Sequence, residues 1–171
     1  RGLSIPVVLV GSQRSSDRPS SDAAMNLLDS AVAAGRGPFA EVAVCMHGET
    51  GDTYSLCHRG TKVRKMHTSR RDTFRSINAK PLARIQDRKV EMLVKDYVPR
   101  DPKRELHVEA KFDNKVALVK TYPGIAGELI DALVDKAYHG IVLEGTGLGH
   151  VPESTYGSIK RAIEEEIVVV M

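Results

Sequence analysis

The sequence predicts an α/β fold in which parallel strands alternate with helices. Short apolar runs that stop at a glycine or a polar turn, such as residues 5–10 and 140–143, are typical of buried parallel strands. Between such runs, apolar residues recur at the spacing of a helix. From residue 116 onward the order is strand, helix, strand, helix, strand, which implies right-handed crossovers and a parallel sheet.

In the first half of the chain, one helix is predicted between two strands. It follows the strand at residues 5–10, with Ser20 or Ser21 as its cap and Gly35 at its end. Its apolar stripe, expected to face the core, consists of Ala24, Leu27, Leu28, Ala31 and Val32. Further strands are predicted at residues 41–46, near 53–56, near 62–65 and in a hairpin that ends at 90–94.

A charged, proline-containing segment predicts a boundary between two lobes. Residues 96–114 hold two prolines among many charged groups and are interpreted as a connector between residues 1–95 and 115–171. The elements of the second lobe are predicted at residues 116–119, 127–137, 140–143, 154–166 and 167–170, with Leu129, Leu133, Val134 and Ala137 on one face of its first helix. The chain opens without methionine and ends directly after an apolar run, so we interpret it as an internal piece of a longer protein.

Composition fits an intracellular globular protein. The chain has 171 residues, of which 42% are hydrophobic, enough for a substantial core. The net charge of +3 permits an anionic partner but is too small to argue for nucleic-acid binding. Cys45 and Cys57 lack the spacing of a disulfide framework, which suits a reducing compartment. No apolar run approaches the roughly 20 residues that span a bilayer, so we expect a cytoplasmic protein without membrane contact.

A basic run surrounds Lys65. Residues 59–75 carry Arg59, Lys62, Arg64, Lys65, Arg70, Arg71 and Arg75 against the single acid Asp72. Crowding of like charges favours the neutral amine of a lysine, which can act as a base. On composition alone, a solvated basic face or an anion-binding patch is the more common explanation of such a run.

Several sequence blocks resemble one known family. Lys65 precedes a Phe-x-Ser-x-Asn turn that begins at Phe74, and residues 7–27 contain a strand, a Gly-Ser-Gln loop and a Ser-x-Asp-x-x-x-Asn-Leu helix start. Both blocks are similar to bacterial-type L-asparaginases. The blocks that resemble the D-subunit branch of this family, found in archaeal glutamyl-tRNA(Gln) amidotransferases, lie at residues 14–22, 47–53 and 144–150. The resemblance covers nearly the whole chain.

The resemblance implies an asparaginase-like fold and an amidase site. Residues 1–95 would form the C-terminal part of the larger N-terminal lobe, and residues 115–171 the first part of a smaller flavodoxin-like lobe. Lys65 would belong to the proton-transfer group of an amide hydrolase. Ser12 would line the amide pocket with its backbone, and Gln13 would lie beside it. The nucleophilic threonine and a Thr-Asp pair of the family are expected upstream of the first strand.

The resemblance also implies partners. In the resembled complexes, ammonia from glutamine passes to an E subunit, which uses ATP and magnesium to convert glutamate on tRNA(Gln) to glutamine. We therefore expect glutamine as substrate, the E subunit and tRNA(Gln) as partners, a D-subunit homodimer, and no cofactor in this chain. Two alternatives stay open: a free-standing cytoplasmic L-asparaginase, and a non-enzymatic anion- or RNA-binding module that uses the basic run.

Asp22 and Asn26 match the family's helix start, with Ala23 in place of its glycine. We expect Asp22 to be structural, because an aspartate in the first turn interacts favourably with the helix dipole.

Two other motifs suggest ligand sites that their spacing does not support. The glycines of residues 145–149 have the spacing of neither the dinucleotide fingerprint nor the P-loop, so a tight turn after a strand is the better interpretation. Cys45 with His47, and Cys57 with His58, lack the ligand spacing of structural zinc sites. We expect buried thiols beside polar histidines.

Overall fold

The computed structural model describes residues 2–171 and divides the chain into two units at Glu109 and Ala110. The elements of the first unit are β1 (Val7–Leu9), α1 (Ala23–Arg36), β2 (Val42–His47), β3 (Ser55–Arg59), β4 (Val63–Lys65), β5 (Phe74–Ser76), β6 (Ala83–Gln86) and β7 (Lys89–Met92). Those of the second unit are β8 (Val116–Lys120), α2 (Glu128–Asp135), β9 (Gly140–Glu144), α3 (Tyr156–Glu164) and β10 (Val168–Val170). No helix among residues 2–171 is both long enough and apolar enough to cross a membrane.

In the described part of the first unit, β1, β2, β3, β6 and β7 form one mixed sheet in that order. β1 runs parallel to β2, as predicted, and the remaining neighbours are antiparallel. Phe39, Leu82 and Ile85 are among the fully buried side chains of its core. The expectation that β1 is buried is wrong, because β1 is an edge strand of this sheet and exposes Val7 and Leu9.

α1 begins after Asp22 and ends at Arg36, before the sequence Gly37-Pro38. The helix is rich in alanine and leucine, the strongest helix formers. Its buried residues are Asn26, Asp29, Ser30 and Ala33, which share one face. The predicted stripe is largely wrong: Leu27 is 62% exposed and Leu28 is 49% exposed, although Val32 packs against the core. The helix turns a mostly polar face inward, where Asn26 and Ser30 bind polar partners, while Oδ2 of Asp29 has no hydrogen-bond partner among the described residues.

The second unit contains the predicted parallel sheet, with strand order β10, β9, β8 in the described residues. α2 and α3 pack against each other, and their residues Ile130, Val134 and Ala162 share a core with Ile141 and Leu143 of β9. The face predicted for α2 is only partly right, because Leu129 on that face is 52% exposed.

Most of the segment interpreted as a connector belongs to the first unit and forms hydrogen bonds within it. The backbone of residues 98–100 hydrogen-bonds to Ala40 and Pro38, with N···O distances of 2.7 Å. Farther along, the Arg104 guanidinium donates to the carbonyl oxygen of Leu3 at 2.7 Å. The lobe boundaries at residues 96–114 stay a prediction.

Candidate functional site

The loop after β1 carries two of the predicted site residues. This Gly-Ser-Gln loop comprises residues 11–14, and Ser12 is exposed in it. The Gln13 side chain donates from Nε2 to the carbonyl oxygen of Arg70 at 3.1 Å. The contact joins the Gly-Ser-Gln loop to the turn that follows Lys65.

Lys65 is the last residue of β4 and lies directly opposite Phe74 of β5. The turn between these strands, residues 66–73, is the lysine turn. It is closed by the Thr73 hydroxyl, which accepts the backbone N–H of His67 and donates to the His67 carbonyl at 2.7 Å. Lys65 is exposed, and within residues 2–171 no carboxylate pairs with it.

Asp22 holds the Gly-Ser-Gln loop in place. Its buried carboxylate accepts the backbone N–H of Gln13 and that of Arg14, both at 3.0 Å, while Asn26 donates to it at 2.8 Å. Burial by itself would raise the pKa of Asp22, but the hydrogen bonds from Gln13 and Arg14 outweigh it and hold that pKa below its usual range. Asp22 is the N-cap residue of α1 and not part of its first turn, and its carboxylate makes no capping hydrogen bond. Its contacts instead hold the Gly-Ser-Gln loop.

A chain of hydrogen bonds runs from the Gly-Ser-Gln loop to the lysine turn. Asn26 donates from Nδ2 to the Gly11 carbonyl at 3.0 Å, and its Oδ1 lies 2.6 Å from Nδ1 of His47. Nε2 of His47 lies 3.0 Å from the Asp52 carboxylate, to which Arg71 donates at 2.6 Å. The hydrogen bond from His47, opposed by burial and aided by the charge of Arg71, holds the pKa of Asp52 below its usual range.

No local sequence pattern indicates this chain of side chains. His47 and Asp52 both belong to the block at residues 47–53 that resembles the family, and His47 lacks the spacing of a zinc ligand. The contact between Asp52 and Arg71 spans 19 residues of sequence, so no helical or strand spacing signals it. The sequence therefore does not predict the side chains that connect the two segments.

Most guanidinium groups of the basic run are paired. Arg59 binds Glu41 at 2.8 Å, and Asp72 accepts from Arg70 at 2.9 Å and from Arg75 at 2.7 Å. Carboxylates from outside the run, such as Glu41, thus reduce the crowding that the sequence indicates. The cations of the run with no carboxylate partner within residues 2–171 are Lys62, Arg64 and Lys65.

A polar pocket opens beside both segments. Its volume is about 500 Å³, and its lining consists of Gln13, Arg14, Ser15, Arg18, Ser20 and Ser69. Two of these residues are cations from the first unit, and the rest are neutral hydrogen-bonding groups. Such a lining suits a small polar ligand that carries negative charge, because guanidinium groups bind carboxylates well.

His58 lies buried next to the β4–β5 hairpin. Its Nδ1 is 2.8 Å from the Ser76 hydroxyl, and its Nε2 has no partner among the described residues. Burial, followed by the positive charge of Arg75, lowers the pKa of His58 to about 4. The imidazole is therefore neutral at physiological pH.

Cys45 and Cys57 lie directly opposite each other in β2 and β3, and both are buried and free. Their hydrogen bond, together with burial, raises the pKa of the Cys57 thiol. The histidines next to them in sequence have other partners, Asn26 and Asp52 for His47 and Ser76 for His58. Among residues 2–171, no group of three or more potential ligands could hold a metal ion.

The glycine-rich segment after β9 forms a tight turn, as predicted. Gly147 and Gly149 have positive φ values of 56° and 101°. A Cβ on Gly145 would lie 2.7 Å from the carbonyl carbon of Gly149. Glycine is required here because the turn brings two backbone segments together.

Comparison with known families connects this geometry to one of them. The family model described as "Asparaginase, N-terminal" matches residues 1–97, and the one described as "Glutaminase/Asparaginase C-terminal domain" matches residues 115–171. The chain belongs to the asparaginase family. The predicted asparaginase-like α/β fold is thereby confirmed.

Individual members of the asparaginase family extend the comparison. The chain is 63% identical over its whole length to the D subunit of the glutamyl-tRNA(Gln) amidotransferase from Pyrococcus abyssi and 58% identical to that from Aeropyrum pernix. It spans 39% and 40% of the length of these relatives. The solved thermostable L-asparaginase from Thermococcus kodakarensis has a TM-score of 0.82 at 30% identity, with 99% of this chain and 49% of that one covered. The resemblance drawn from the sequence is confirmed.

Proposed function

We propose that this chain is part of the glutamine-hydrolysing component of a glutamyl-tRNA(Gln) amidotransferase, its D subunit. The observation that supports this most is the 63% identity, over the whole chain, to the D subunit from Pyrococcus abyssi. Identity to the L-asparaginase of known structure is 30%, so a free-standing asparaginase is less supported. A non-enzymatic anion-binding module is also less supported, since both matching family models carry the names of amidases.

The reaction is hydrolysis of the glutamine side-chain amide, which consumes one water and yields glutamate and ammonia. By family resemblance, a threonine upstream of this chain attacks the amide carbonyl, the C–N bond breaks, and water then cleaves the acyl-enzyme. Lys65, together with the upstream Thr-Asp pair, transfers the threonine proton towards the leaving nitrogen. The backbone of Ser12 borders the departing ammonia, and Gln13 lies beside it.

The geometry of the first unit is compatible with these roles. Lys65 has no carboxylate partner within the described residues, so its amine is not held in an ion pair. The turn that follows it contacts Gln13. Gln13 and Ser69 of this turn line the same pocket, although Ser12 and Lys65 are not among its lining residues. The cationic and hydroxyl lining of that pocket suits the charged end of an amino-acid substrate.

The partners follow from the same proposal. The ammonia acceptor is an E subunit that carries glutamyl-tRNA(Gln) and uses ATP and magnesium, and this chain itself needs no cofactor. The complete D subunit forms a homodimer and reaches tRNA(Gln) through the complex. As a component of protein biosynthesis, the complex works in the cytoplasm.

The test is ammonia release by the complete protein from glutamine and from asparagine, with and without E subunit, ATP and glutamyl-tRNA(Gln). We expect glutamine to be preferred and its hydrolysis to accelerate when partner and acceptor are present, because coupling lets a distant ligand favour a competent site. Equal rates in every condition, with asparagine preferred, would support the free-standing asparaginase. RNA binding with steep salt dependence and no amidase activity would support the anion-binding module.

A further inference from the structure

His47 has no part in the proposed chemistry, yet it is fully buried between two polar groups. It ends β2, and its side chain has no exposed surface. One ring nitrogen faces Asn26 of α1 and the other faces Asp52 in the loop between β2 and β3. A buried imidazole with both nitrogens engaged calls for a physical explanation.

The orientation of the Asn26 amide determines whether Nδ1 of His47 donates or accepts a hydrogen bond. Its Nδ2 lies 3.0 Å from the Gly11 carbonyl oxygen and 2.8 Å from the Asp22 carboxylate, and both of these groups only accept. The reversed amide would place Oδ1 against two acceptors. The orientation with Oδ1 towards His47 is therefore required, and the 2.6 Å contact needs a proton on Nδ1 of His47.

The second ring nitrogen of His47 also faces an acceptor. Nε2 lies 3.0 Å from Oδ1 of Asp52. The Asp52 carboxylate therefore lies within hydrogen-bond distance of the second ring nitrogen. His47 is held at both ring nitrogens, with Asn26 on one side and Asp52 on the other.

The Asp52 carboxylate extends this arrangement to the lysine turn. Arg71 donates from Nη1 to the same oxygen at 2.6 Å, and its Nη2 donates to the Thr50 carbonyl. The Arg71 side chain is only 17% exposed, so the turn is held by a largely buried group. Together with the contact from Gln13 to Arg70, this fixes the turn that follows Lys65.

We propose that His47 is a positioning residue, which holds the lysine turn, and with it Lys65, in a fixed place relative to the Gly-Ser-Gln loop through contacts of its two ring nitrogens with Asn26 and Asp52. The inference rests on the proposed amidase function, whose two segments it connects. His47 does not touch the substrate. It keeps both segments in the arrangement that a proton transfer at the substrate amide requires.

Two measurements on the complete protein test the arrangement without an activity assay. Nitrogen-15 NMR of His47 in the folded protein should show a proton on Nδ1, which the orientation of the Asn26 amide requires. Hydrogen exchange should show backbone amides of residues 66–73 that are protected in the wild type and lose protection in Asp52→Asn. Asp52 is the safest position for substitution because its side chain is 68% exposed. An unprotonated Nδ1, or unchanged exchange in this variant, would overturn the proposal.

Kinetics give a third readout. We expect His47→Gln and Asp52→Asn each to lower kcat for glutamine hydrolysis by about 10- to 100-fold, with KM changed by less than about threefold, because misplacement by about 1 Å costs rates of this order. The double variant should be little worse than either single variant, since both break the same chain. Normal kcat in folded Asp52→Asn, or additive losses in the double variant, would contradict the positioning role.

A matched pair separates positioning from charge. Arg71→Met and Arg64→Met each remove one guanidinium group from the same hairpin, but Arg64 has no carboxylate partner within the described residues. Only Arg71→Met should lower kcat. If the wild-type protein releases no ammonia at all, the proposed amidase function fails, while the NMR and hydrogen-exchange results still decide the role of His47.

Discussion

Asp22 binds the backbone N–H of Gln13 with both carboxylate oxygens, at 3.0 and 3.1 Å, although the two residues are nine positions apart. Arg14 adds a third backbone contact at 3.0 Å. The shape of the Gly-Ser-Gln loop therefore depends on an ionised carboxylate that belongs to the start of α1.

Asp22→Asn should destabilise the complete protein by about 1–3 kcal/mol, because the amide nitrogen would face backbone donors in a buried place. The hydrogen bonds also determine the pH dependence. Since the pKa of Asp22 is lower in the folded state than its ordinary 3.8, its contribution to stability is present above that value and is lost as pH falls through the folded pKa.

Urea unfolding at neutral and at acidic pH measures both effects. Asp17→Asn is the control, because Asp17 is an exposed carboxylate in the neighbouring loop. Equal stability of the two variants at neutral pH would show that Asp22 does not hold the loop.

Lys65→Met should lower glutamine hydrolysis by about 10²- to 10⁴-fold in the complete protein, the usual cost of losing a proton-transfer group. Unfolding temperature and partner binding should stay unchanged, since Lys65 is exposed. Steady-state ammonia release is the measurement.

Lys62→Met is the matched control, because it removes the same charge from the same hairpin at another exposed position. Equal losses in the two variants would mean that the basic run acts through its overall charge and that Lys65 has no special role.

His58 should make the protein less stable as pH falls below neutrality. Its pKa is about 4 in the folded state and 6.5 ordinarily, so the unfolded state takes up a proton first. Stability is fully present above pH 6.5 and declines towards pH 4 by up to about 3 kcal/mol.

His58→Asn should flatten this decline, because asparagine does not titrate and can still bond to Ser76. Denaturant unfolding at several pH values measures the slope. The exposed His150→Asn should leave the slope as it is in the wild type, and an unchanged slope in His58→Asn would disprove the assignment.

Two glycines of the second unit should respond in opposite directions to alanine. Gly145→Ala places a Cβ 2.7 Å from the Gly149 backbone and should destabilise the protein by about 1–3 kcal/mol, as overpacking does. Gly157→Ala in α3 meets nothing within 4 Å and should stabilise it by up to about 1 kcal/mol through helix propensity. Thermal unfolding of the two variants is the test, and a stable Gly145→Ala variant would refute the close approach.

The strands of the second unit were predictable because they are short apolar runs, as in residues 140–143 and 167–170. β5 (Phe74–Ser76) was not predicted as a strand, because its residues are largely polar. The buried face of α1 was not predictable either, since Leu27 and Leu28 satisfy the helical spacing and yet face outward. The inward face carries Asn26 and Ser30, which bond to groups brought there by other elements. Apolar periodicity cannot identify such a face, because hydrogen-bond partners determine it.

The candidate site shows the same limit. Lys65 and Ser12 were predicted as site residues from a family resemblance, which rests on the spacing of local motifs. Their roles stay predictions. Only folding brings Asp52 and Arg71 together. Their side chains are 19 residues apart in sequence, so their contact depends on how the loop after β2 packs against the lysine turn. Local sequence therefore predicts the segments of the site but not the side chains that connect them.

Within residues 2–171, β4 and β5 pair only with each other and not with the five-stranded sheet. An isolated two-stranded hairpin is only marginally stable in water. Side-chain hydrogen bonds to the rest of the first unit therefore fix the position of Lys65. Warming should release this hairpin in a local opening well before the core melts. Turnover would then vanish reversibly at temperatures where circular dichroism still reports a native protein.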